Sequence, residues 1–334
     1  MHLPVSFLNC RRSFNLTTAM SQTPNTVLRS SQQILRNYPV PLSPPLPAIS
    51  KDVELARAMS ASSRSSTFSP SKSQVIYEDR WLIAVNKPMG VYCDALLGSV
   101  SASAQDPCST KETGSTLKEL HLANRLDRDT SGVMLITKSH KGAAKLVKAF
   151  TDHKVRKTYV ALCVGSSPKW KNITIRSGHG RSRFGAWRVY AASDVGKSLP
   201  GGSSVRSMET TFELLSVNGE KPEKSRGSSD IHGSEGNLII VEEKSEIDDE
   251  KEDEIVVRAF PRSGRTHQIR LHCQYLGISI KGDVKYDGVH EWKGEMLNGH
   301  LLHAESLSFE HPVTGLPLHI TSPLPSWATE ALKE

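Results

Sequence analysis

Short apolar runs separated by polar and turn-forming residues characterise the chain from about residue 74 onwards. Their length and their content of β-branched residues predict buried strands, at residues 75–77, 81–85, 133–136, 158–164, 210–217, 237–241 and 255–260. Helical spacing is clearest where apolar residues recur three, four and seven positions apart, at Ala143, Leu146, Val147 and Phe150. Further short helices are predicted at 117–122 and from about 266, and the stretch 95–115 is predicted to be a loop. The pattern therefore predicts more strand than helix.

Polar segments flank and interrupt this pattern. Residues 1–50 contain many Ser and Thr, four arginines and no Asp or Glu, which is typical of an organellar transit peptide; a disordered tail is the alternative. The polar composition continues to residue 73. We therefore predict a tail at 1–73, one catalytic domain at 74–327 and a second tail at 328–334. Residues 218–236 are rich in Gly and Ser, and an acidic run continues to residue 254. This composition predicts a disordered insertion at 218–254.

The charge of the chain favours a polyanionic partner. The formal net charge is +7 and the pI is about 9.1. Residues 242–254 contain nine acids and two lysines, a net charge of −7, so the remainder carries +14. A basic surface of this kind suits nucleic acid. The five cysteines include no Cys-x-x-Cys pair, so we expect reduced thiols without a zinc knuckle, and no apolar run is long enough for a membrane span.

The best candidate for chemistry is the stretch from residue 124 to residue 132, which reads Asn-Arg-Leu-Asp-Arg-Asp-Thr-Ser-Gly. It directly precedes a predicted buried strand, and a loop in this place can hold a side chain rigidly over a cleft. Asp127 lies between Arg125 and Arg128, and neighbouring cations keep a carboxylate ionised. An ionised Asp can act as nucleophile, base or metal ligand. The alternative is a structural ion-paired loop.

Five motifs in order resemble those of the RluA-type RNA pseudouridine synthases, over roughly residues 74 to 327. Besides Arg125-Leu126-Asp127 with Thr130-Ser131-Gly132, the matching segments are Asn86-Lys87-Pro88-Met89-Gly90, Arg156-Lys157-Thr158-Tyr159, the stretch from Gly264 to His272, and a closing part with Gly282-Asp283, His303-Ala304 and His311-Pro312. One departure is Asn124, where the family usually has His.

The resemblance implies an enzyme that isomerises uridine to pseudouridine in RNA after flipping the base out of its stack. It implies Asp127 as nucleophile or base at the sugar, Arg270 as its buried partner with Arg265 as second choice, and Tyr159 against the uracil. Leu271 is expected to line the base pocket, and Arg125 and Arg128 to contact RNA. The reaction needs no cofactor, and no metal is expected. The implied fold is α+β, with a mixed, mainly antiparallel sheet shared by two subdomains and a cleft at Asp127.

A second basic segment points to RNA contact. Arg181, Arg183 and Arg188 lie near Trp187 and Tyr190, and basic residues interleaved with aromatic ones suit single-stranded or splayed RNA. Pairing of these arginines with the acidic insertion is the alternative.

Two other functions remain open at the level of sequence. One is a catalytically inactive RNA-binding protein of the same fold, and the other is a metal-dependent nuclease that uses Asp127 and Asp129. We expect a monomer acting on rRNA or tRNA in chloroplasts or mitochondria, with cytoplasm or nucleus as the alternative, and no membrane partner.

Overall fold

The computed structural model of the protein describes residues 38–69, 74–103, 119–222, 237–244 and 252–332. The helices are α1 (Ser50–Thr67), α2 (Cys93–Ser103), α3 (His140–Thr151), α4 (Gln268–Tyr275) and α5 (Ser326–Leu332). The strands of the first half are β1 (Val75–Glu78), β2 (Leu82–Lys87), β3 (His121–Leu122), β4 (Ser131–Thr137), β5 (Arg156–Gly165), β6 (Asn172–Arg181) and β7 (Trp187–Tyr190). Those of the second half are β8 (Arg206–Val217), β9 (Asn237–Ile240), β10 (Asp253–Pro261), β11 (Ile278–Ile280), β12 (Glu291–Trp292), β13 (Glu295–Met296), β14 (Leu302–Glu310) and β15 (Pro317–Thr321).

One large sheet organises the fold, in the order β1-β2-β4-β14-β5-β10-β8-β6-β7. Its pairs are antiparallel except for β4 with β14 and β6 with β9, which are parallel. This mixed, mainly antiparallel sheet with peripheral helices confirms the predicted α+β class. Strand β14 comes late in the chain, yet it lies between β4 and β5 and joins the two halves of the sheet.

Each half of the sheet packs against a core of apolar side chains. In the first half, β2 and β4 supply fully buried Leu82, Val133 and Leu135, and α3 covers them with Leu146. In the second half, β5, β8 and β10 pack against α4 in a larger core. The halves meet closely at Gly132, where a Cβ would lie 2.2 Å from the carbonyl oxygen of Ala304. Gly132 therefore allows the parallel pairing of β4 with β14.

The predicted tail boundary at residue 73 is wrong, because residues from Pro39 onward belong to the same compact unit as the sheet. Leu42 donates its N–H to the carbonyl of Val189 at 2.8 Å, and helix α1 follows. Arg57 donates from Nη1 to the carbonyl of Gly282 at 2.7 Å. The transit-peptide prediction rests on arginines at 11, 12, 29 and 36, which lie outside the described residues.

Four other segments also differ from the predictions. The C-terminal tail is helical in α5, because Ala328 and Leu332 are buried. Residues 95–103 are helix α2 where a loop is predicted, and His121–Leu122 is strand β3 where a helix is predicted. Within 218–254, strand β9 pairs with β6 and Val241 is fully buried; residues 223–236 and 245–251 lie outside the described ranges.

The amphipathic helix α3 is confirmed, with Ser139 accepting the Gly142 N–H as its N-cap. Its buried face contains Ala143 and Leu146, whereas Val147 is 48% exposed, against the prediction. Among the described helices, none combines the length and the apolarity needed to cross a membrane.

Candidate active site

Asp127 lies in the loop that precedes β4, and buried contacts hold this loop in place. Lys87, which is fully buried, donates from Nζ to the carbonyl oxygens of Pro88, Val91 and Arg128 at 2.8–2.9 Å. The Gly90 N–H donates to the same Arg128 carbonyl at 3.0 Å. Asn124, the departure from the family pattern, accepts the Leu135 N–H at 2.7 Å and so ties the loop to β4. The backbone on either side of Asp127 is therefore fixed.

Arg270 joins Asp127 to a second carboxylate. Its Nη1 donates to Asp127 Oδ2 at 2.9 Å, while Nε and Nη2 donate to the two oxygens of Asp283 at 2.6 and 2.8 Å. The Arg270 side chain is 4% exposed and that of Asp283 is 1% exposed, whereas Asp127 is 30% exposed. The bidentate pair with Asp283 orients the guanidinium, which then presents one N–H group to Asp127. Arg270, and not the second choice Arg265, makes this contact.

Opposing effects set the charge state of Asp127. Burial favours the neutral acid, but the charge and the hydrogen bond of Arg270 outweigh it and hold the pKa of Asp127 well below its usual range. Burial alone would lower the pKa of Arg270, but the charge and the hydrogen bonds of the neighbouring Asp283 outweigh this effect, so the pKa of Arg270 is raised. At neutral pH the site therefore contains an ionised carboxylate that solvent can reach.

A cavity of about 560 Å³ opens over Asp127, which is within the roughly 300–1,000 Å³ range of small-molecule sites. Tyr159 on β5 lines it together with Lys157, and Leu126, Ile269 and Leu302 supply apolar surface. Burial, with Asp127 nearby, raises the pKa of Tyr159 well above its ordinary value. The phenol is therefore protonated at neutral pH and can donate a hydrogen bond.

Lys157 was missed as a cavity residue, although it lies two positions before Tyr159 in one of the motifs that carry the resemblance. Its Nζ donates to the Ser263 carbonyl at 2.7 Å. Burial, and secondarily Arg265, lowers the pKa of Lys157 to about 8. This ammonium lies at the wall of the cavity and is charged at neutral pH.

Two histidines near Asp127 are neutral. Nε2 of His267 is 3.8 Å from Asp127 Oδ2, and its Nδ1 is 2.7 Å from the Tyr286 hydroxyl. Burial and the charge of Arg270 lower the pKa of His267 to about 3. His300 is buried with Nε2 2.8 Å from Thr130 Oγ1, and burial lowers its pKa well below the ordinary value. Neither histidine is among the site residues predicted from the sequence.

The backbone of His267 is unusual. It has a φ of 58° directly before α4, a left-handed conformation that is uncommon for a residue other than Gly. The turn places His267 at the rim of the cavity, immediately before the helix that carries Arg270.

The other residues predicted to lie around Asp127 differ in their environments. Arg125 lines the cavity and is 74% exposed, with a loose pair to Asp94 at 3.8 Å. Arg128 also lines the cavity and is paired with Asp129 and Glu54, and its assignment as an RNA contact stays a prediction. Leu271 does not line the cavity, because it is fully buried in the core of the second half. It follows Arg270 by one helical position, about 100° around the axis, and so faces away from Asp127.

The predicted basic segment divides into three environments. Arg181 is exposed and its guanidinium lies 4.9 Å from the ring centroid of Trp187. Arg183 is also exposed, over Phe184 at 4.5 Å. Arg188 is buried and donates from Nε to Ser43 Oγ at 2.9 Å, with a second bond from Nη2 to the Ser43 carbonyl. Arg188 is therefore a structural residue that secures the segment before α1, and its assignment as an RNA contact is wrong.

A family model described as RNA pseudouridylate synthase matches residues 81–275, and the chain belongs to this family. The protein is an isomerase of uridine in RNA.

The relatives share most of the chain. RNA pseudouridine synthase 1 of Arabidopsis thaliana is 58% identical over 308 residues, which cover 91% of each protein. The protein of the same name from Oryza sativa subsp. japonica is 61% identical, over 88% of this chain and 84% of the relative. Ribosomal large subunit pseudouridine synthase C of Pasteurella multocida is 31% identical, over 76% of this chain and 65% of the relative.

Proposed function

We propose that Asp127 is the carboxylate that acts on the sugar of a uridine bound in the 560 Å³ cavity. The observation that carries this proposal is the contact of an ionised, partly exposed Asp127 with the buried Arg270. In the reaction the N1–C1′ bond breaks, the uracil turns, and a C5–C1′ bond forms. The proton on C5 is then lost and N1 gains one, so no atom or electron is left over.

Asp127 has two roles consistent with this position. It attacks C1′ directly, or it assists the loss of the C2′ proton; both begin from the ionised carboxylate, and Arg270 keeps Asp127 in that form. Tyr159 supplies a ring face for the uracil and a hydroxyl that can donate a hydrogen bond. Lys157, Arg125 and Arg265 line the same cavity and offer donors to the uracil or to phosphates.

The test of this assignment is Asp127→Asn, which keeps size and shape but removes the nucleophile. We expect tritium release from RNA containing 5-tritiated uridine to fall by at least about 1,000-fold, with RNA affinity and melting temperature kept. Asp94→Asn is the control, because Asp94 is an exposed acid at the rim of the same cavity. Near-normal release by Asp127→Asn would overturn the assignment, and strand cleavage by the wild type would favour the nuclease alternative.

We further propose that the substrate is rRNA or tRNA. The bacterial relative is named for the large ribosomal subunit, and the net charge of this chain suits a polyanion. Mapping of pseudouridine in cells that lack the protein identifies the RNA: sites missing from rRNA or tRNA support the proposal, and changes confined to other RNAs contradict it. We also propose that the catalytic unit works as a monomer.

Organellar targeting is a separate proposal, supported by the acid-free composition of residues 1–49 with four arginines. We expect a fluorescent protein fused behind residues 1–49 to enter plastids or mitochondria. Changing Arg11, Arg12, Arg29 and Arg36 to Glu in the control fusion should abolish import. A cytosolic and nuclear signal from the unchanged fusion would refute the proposal.

A further inference from the structure

A second cavity adjoins the active-site cavity. Its volume is about 220 Å³, and it shares Gly264, Arg265 and Thr266 with the larger cavity. The rest of its wall comes from strands β6 and β7, from Ser203 and Ser204 before β8, and from Arg206 at the start of β8. The residues from β6 and β7 are His179, Gly180, Arg181 and Trp187. Residues 264–266 therefore form the partition between the two cavities.

The second cavity concentrates positive charge. Arg181, Arg206 and Arg265 line it, and no Asp or Glu lies among its described lining residues. Burial is the main cause of the lowered pKa of Arg265, and the charge of Arg206 adds to it, so the two cations lie close enough to repel each other. An anion between them would remove this repulsion.

The arginines are held with donors to spare. Nε of Arg265 donates to the Ser207 carbonyl at 3.1 Å, and its two Nη groups have no acceptor among the residues that the structure describes. The guanidinium of Arg181 lies over the ring of Trp187, and this cation–π contact orients the group without using its N–H donors. Guanidinium groups arranged in this way match the oxygens of a phosphate.

The aromatic wall of the cavity is already occupied. The ring of His179 stacks on Trp187 with centroids 4.7 Å apart and planes inclined by 14°. Nε2 of His179 lies 2.9 Å from the Thr266 carbonyl oxygen, and burial lowers the pKa of His179 to about 4, so the ring is neutral. With His179 and Arg181 both on Trp187, the indole serves as support for Arg181. The cavity is thus equipped for an anion more than for a stacked base.

We propose that this second cavity binds the phosphodiester group of a nucleotide next to the flipped uridine, with Arg206, Arg265 and Arg181 as its ligands. The proposal rests on the proposed function, because the uridine in the larger cavity brings its flanking backbone to the partition at residues 264–266. It adds Arg206, which lies outside the motifs of the sequence analysis, and it separates Arg181 from its neighbours Arg183 and Arg188.

The test compares two exposed arginines in the full-length protein. Binding of a fluorescein-labelled ten-nucleotide oligouridylate is measured by anisotropy between about 50 and 200 mM salt. For Arg206→Gln we expect weaker binding and a salt slope of log K smaller by about 0.7, the value that corresponds to neutralising one phosphate fewer on a single strand. Arg206→Lys, which keeps the charge, should retain most of the slope.

Arg80→Gln is the matched control, because Arg80 is also an exposed arginine over an indole ring, at 5.9 Å from the centroid of Trp81, but does not line the second cavity. Its slope should equal that of the wild type. An unchanged slope for Arg206→Gln, or an equal decrease for Arg80→Gln, would overturn the proposal, since the second result would indicate a diffuse basic surface.

Measurements of turnover distinguish a failure of this phosphate-site proposal from a failure of the proposed function. At saturating RNA, Arg206→Gln should release tritium from 5-tritiated uridine with an unchanged kcat and a raised KM, because an arginine bound to phosphate positions the substrate and does not act at C1′. A reduced kcat with an unchanged KM would contradict the second cavity as a backbone site. A wild-type protein that releases no tritium would contradict the proposed function, whereas the binding comparison would still decide the subsite.

Discussion

Arg270 lies between two carboxylates of unequal exposure, and this inequality determines what each one does. Asp283 is enclosed and accepts hydrogen bonds from the guanidinium through both oxygens, whereas Asp127 accepts one through a single oxygen and lines the cavity. Because the pKa of Asp127 is lowered in the folded state, its negative charge stabilises the folded protein at pH values above 3.8, the ordinary pKa of an Asp. This stabilisation is lost as the pH falls from 3.8 toward the lowered pKa. Asp127 accordingly remains ionised throughout the pH range in which the protein would operate.

Asp283→Asn tests this positioning. The Asn amide would place an NH2 donor against the N–H donors of the guanidinium, so one hydrogen bond is lost and Arg270 is no longer held in its orientation. The ionised form of Asp127 is then stabilised less. We expect the pKa of Asp127 to rise, so that the acid limb of the kcat profile moves to higher pH. Removal of one partner of a buried pair should also lower the free energy of unfolding by about 3 kcal/mol. The measurement is kcat from pH 3 to 8.

Glu305→Gln serves as the control, because Glu305 also binds an arginine through both oxygens, with Nε of Arg258 at 3.0 Å and Nη2 at 3.3 Å. Its replacement should cost stability without moving the acid limb. If Asp283→Asn left the limb in place, Asp283 would be structural only.

The positions of individual site residues could be predicted where the residue belonged to a recognisable motif. Asp127, Tyr159 and Arg270 converge as the motifs predict. Burial was not predictable: Arg188 and Arg183 look equivalent in sequence, yet Arg188 is buried on Ser43 and Arg183 is exposed. The difference depends on a segment more than 100 positions away, and no local pattern records it.

Helix α1 is the element that sequence reasoning missed. Its buried residues are Ser50, Arg57 and Ala61, so it has no apolar stripe to reveal it. Polar contacts hold it instead. Glu54 lies 3.3 Å from Arg128 and 3.0 Å from Lys285, which connects the helix to the loop that carries Asp127.

Arg57→Gln should detach this helix. Arg57 donates to the carbonyls of Gly282 and Leu297 at 2.7 and 2.5 Å, and removal of these charge-assisted bonds should lower the free energy of unfolding by about 3 kcal/mol. Amide exchange in residues 50–67 should become faster. We also expect kcat to fall by roughly tenfold, because Arg128 is then no longer paired with Glu54 and the loop is less well positioned.

Lys51→Gln is the control for Arg57→Gln. Lys51 is an exposed residue of the same helix, so its replacement removes the same type of charge without a buried contact. Both exchange and kcat should stay at wild-type values. Normal exchange in Arg57→Gln would show that the helix is held by other interactions.

At the scale of the whole molecule, the class of fold could be predicted and the arrangement of its strands could not. Short apolar runs rich in β-branched residues predicted most strands of the sheet, because burial within a sheet leaves that pattern locally. The insertion of β14 between β4 and β5 leaves no such trace, since it depends on pairing between residues about 170 positions apart, such as His303 with Ser131. Helix α5 is short and was predicted as tail for a similar reason, because its two buried residues pack on strands of distant sequence.

The position of β14 also sets the point in the synthesis of the chain at which the cavity can be completed. A nascent chain that has emerged as far as α4 already contains Asp127, Tyr159 and Arg270, but it lacks the strand that aligns the halves of the sheet carrying them. Leu302, which lines the cavity, and His300, beside Thr130, emerge with that strand. The wall of the cavity is therefore complete only after β14 has been synthesised, and a chain shortened before residue 300 would lack both of these side chains.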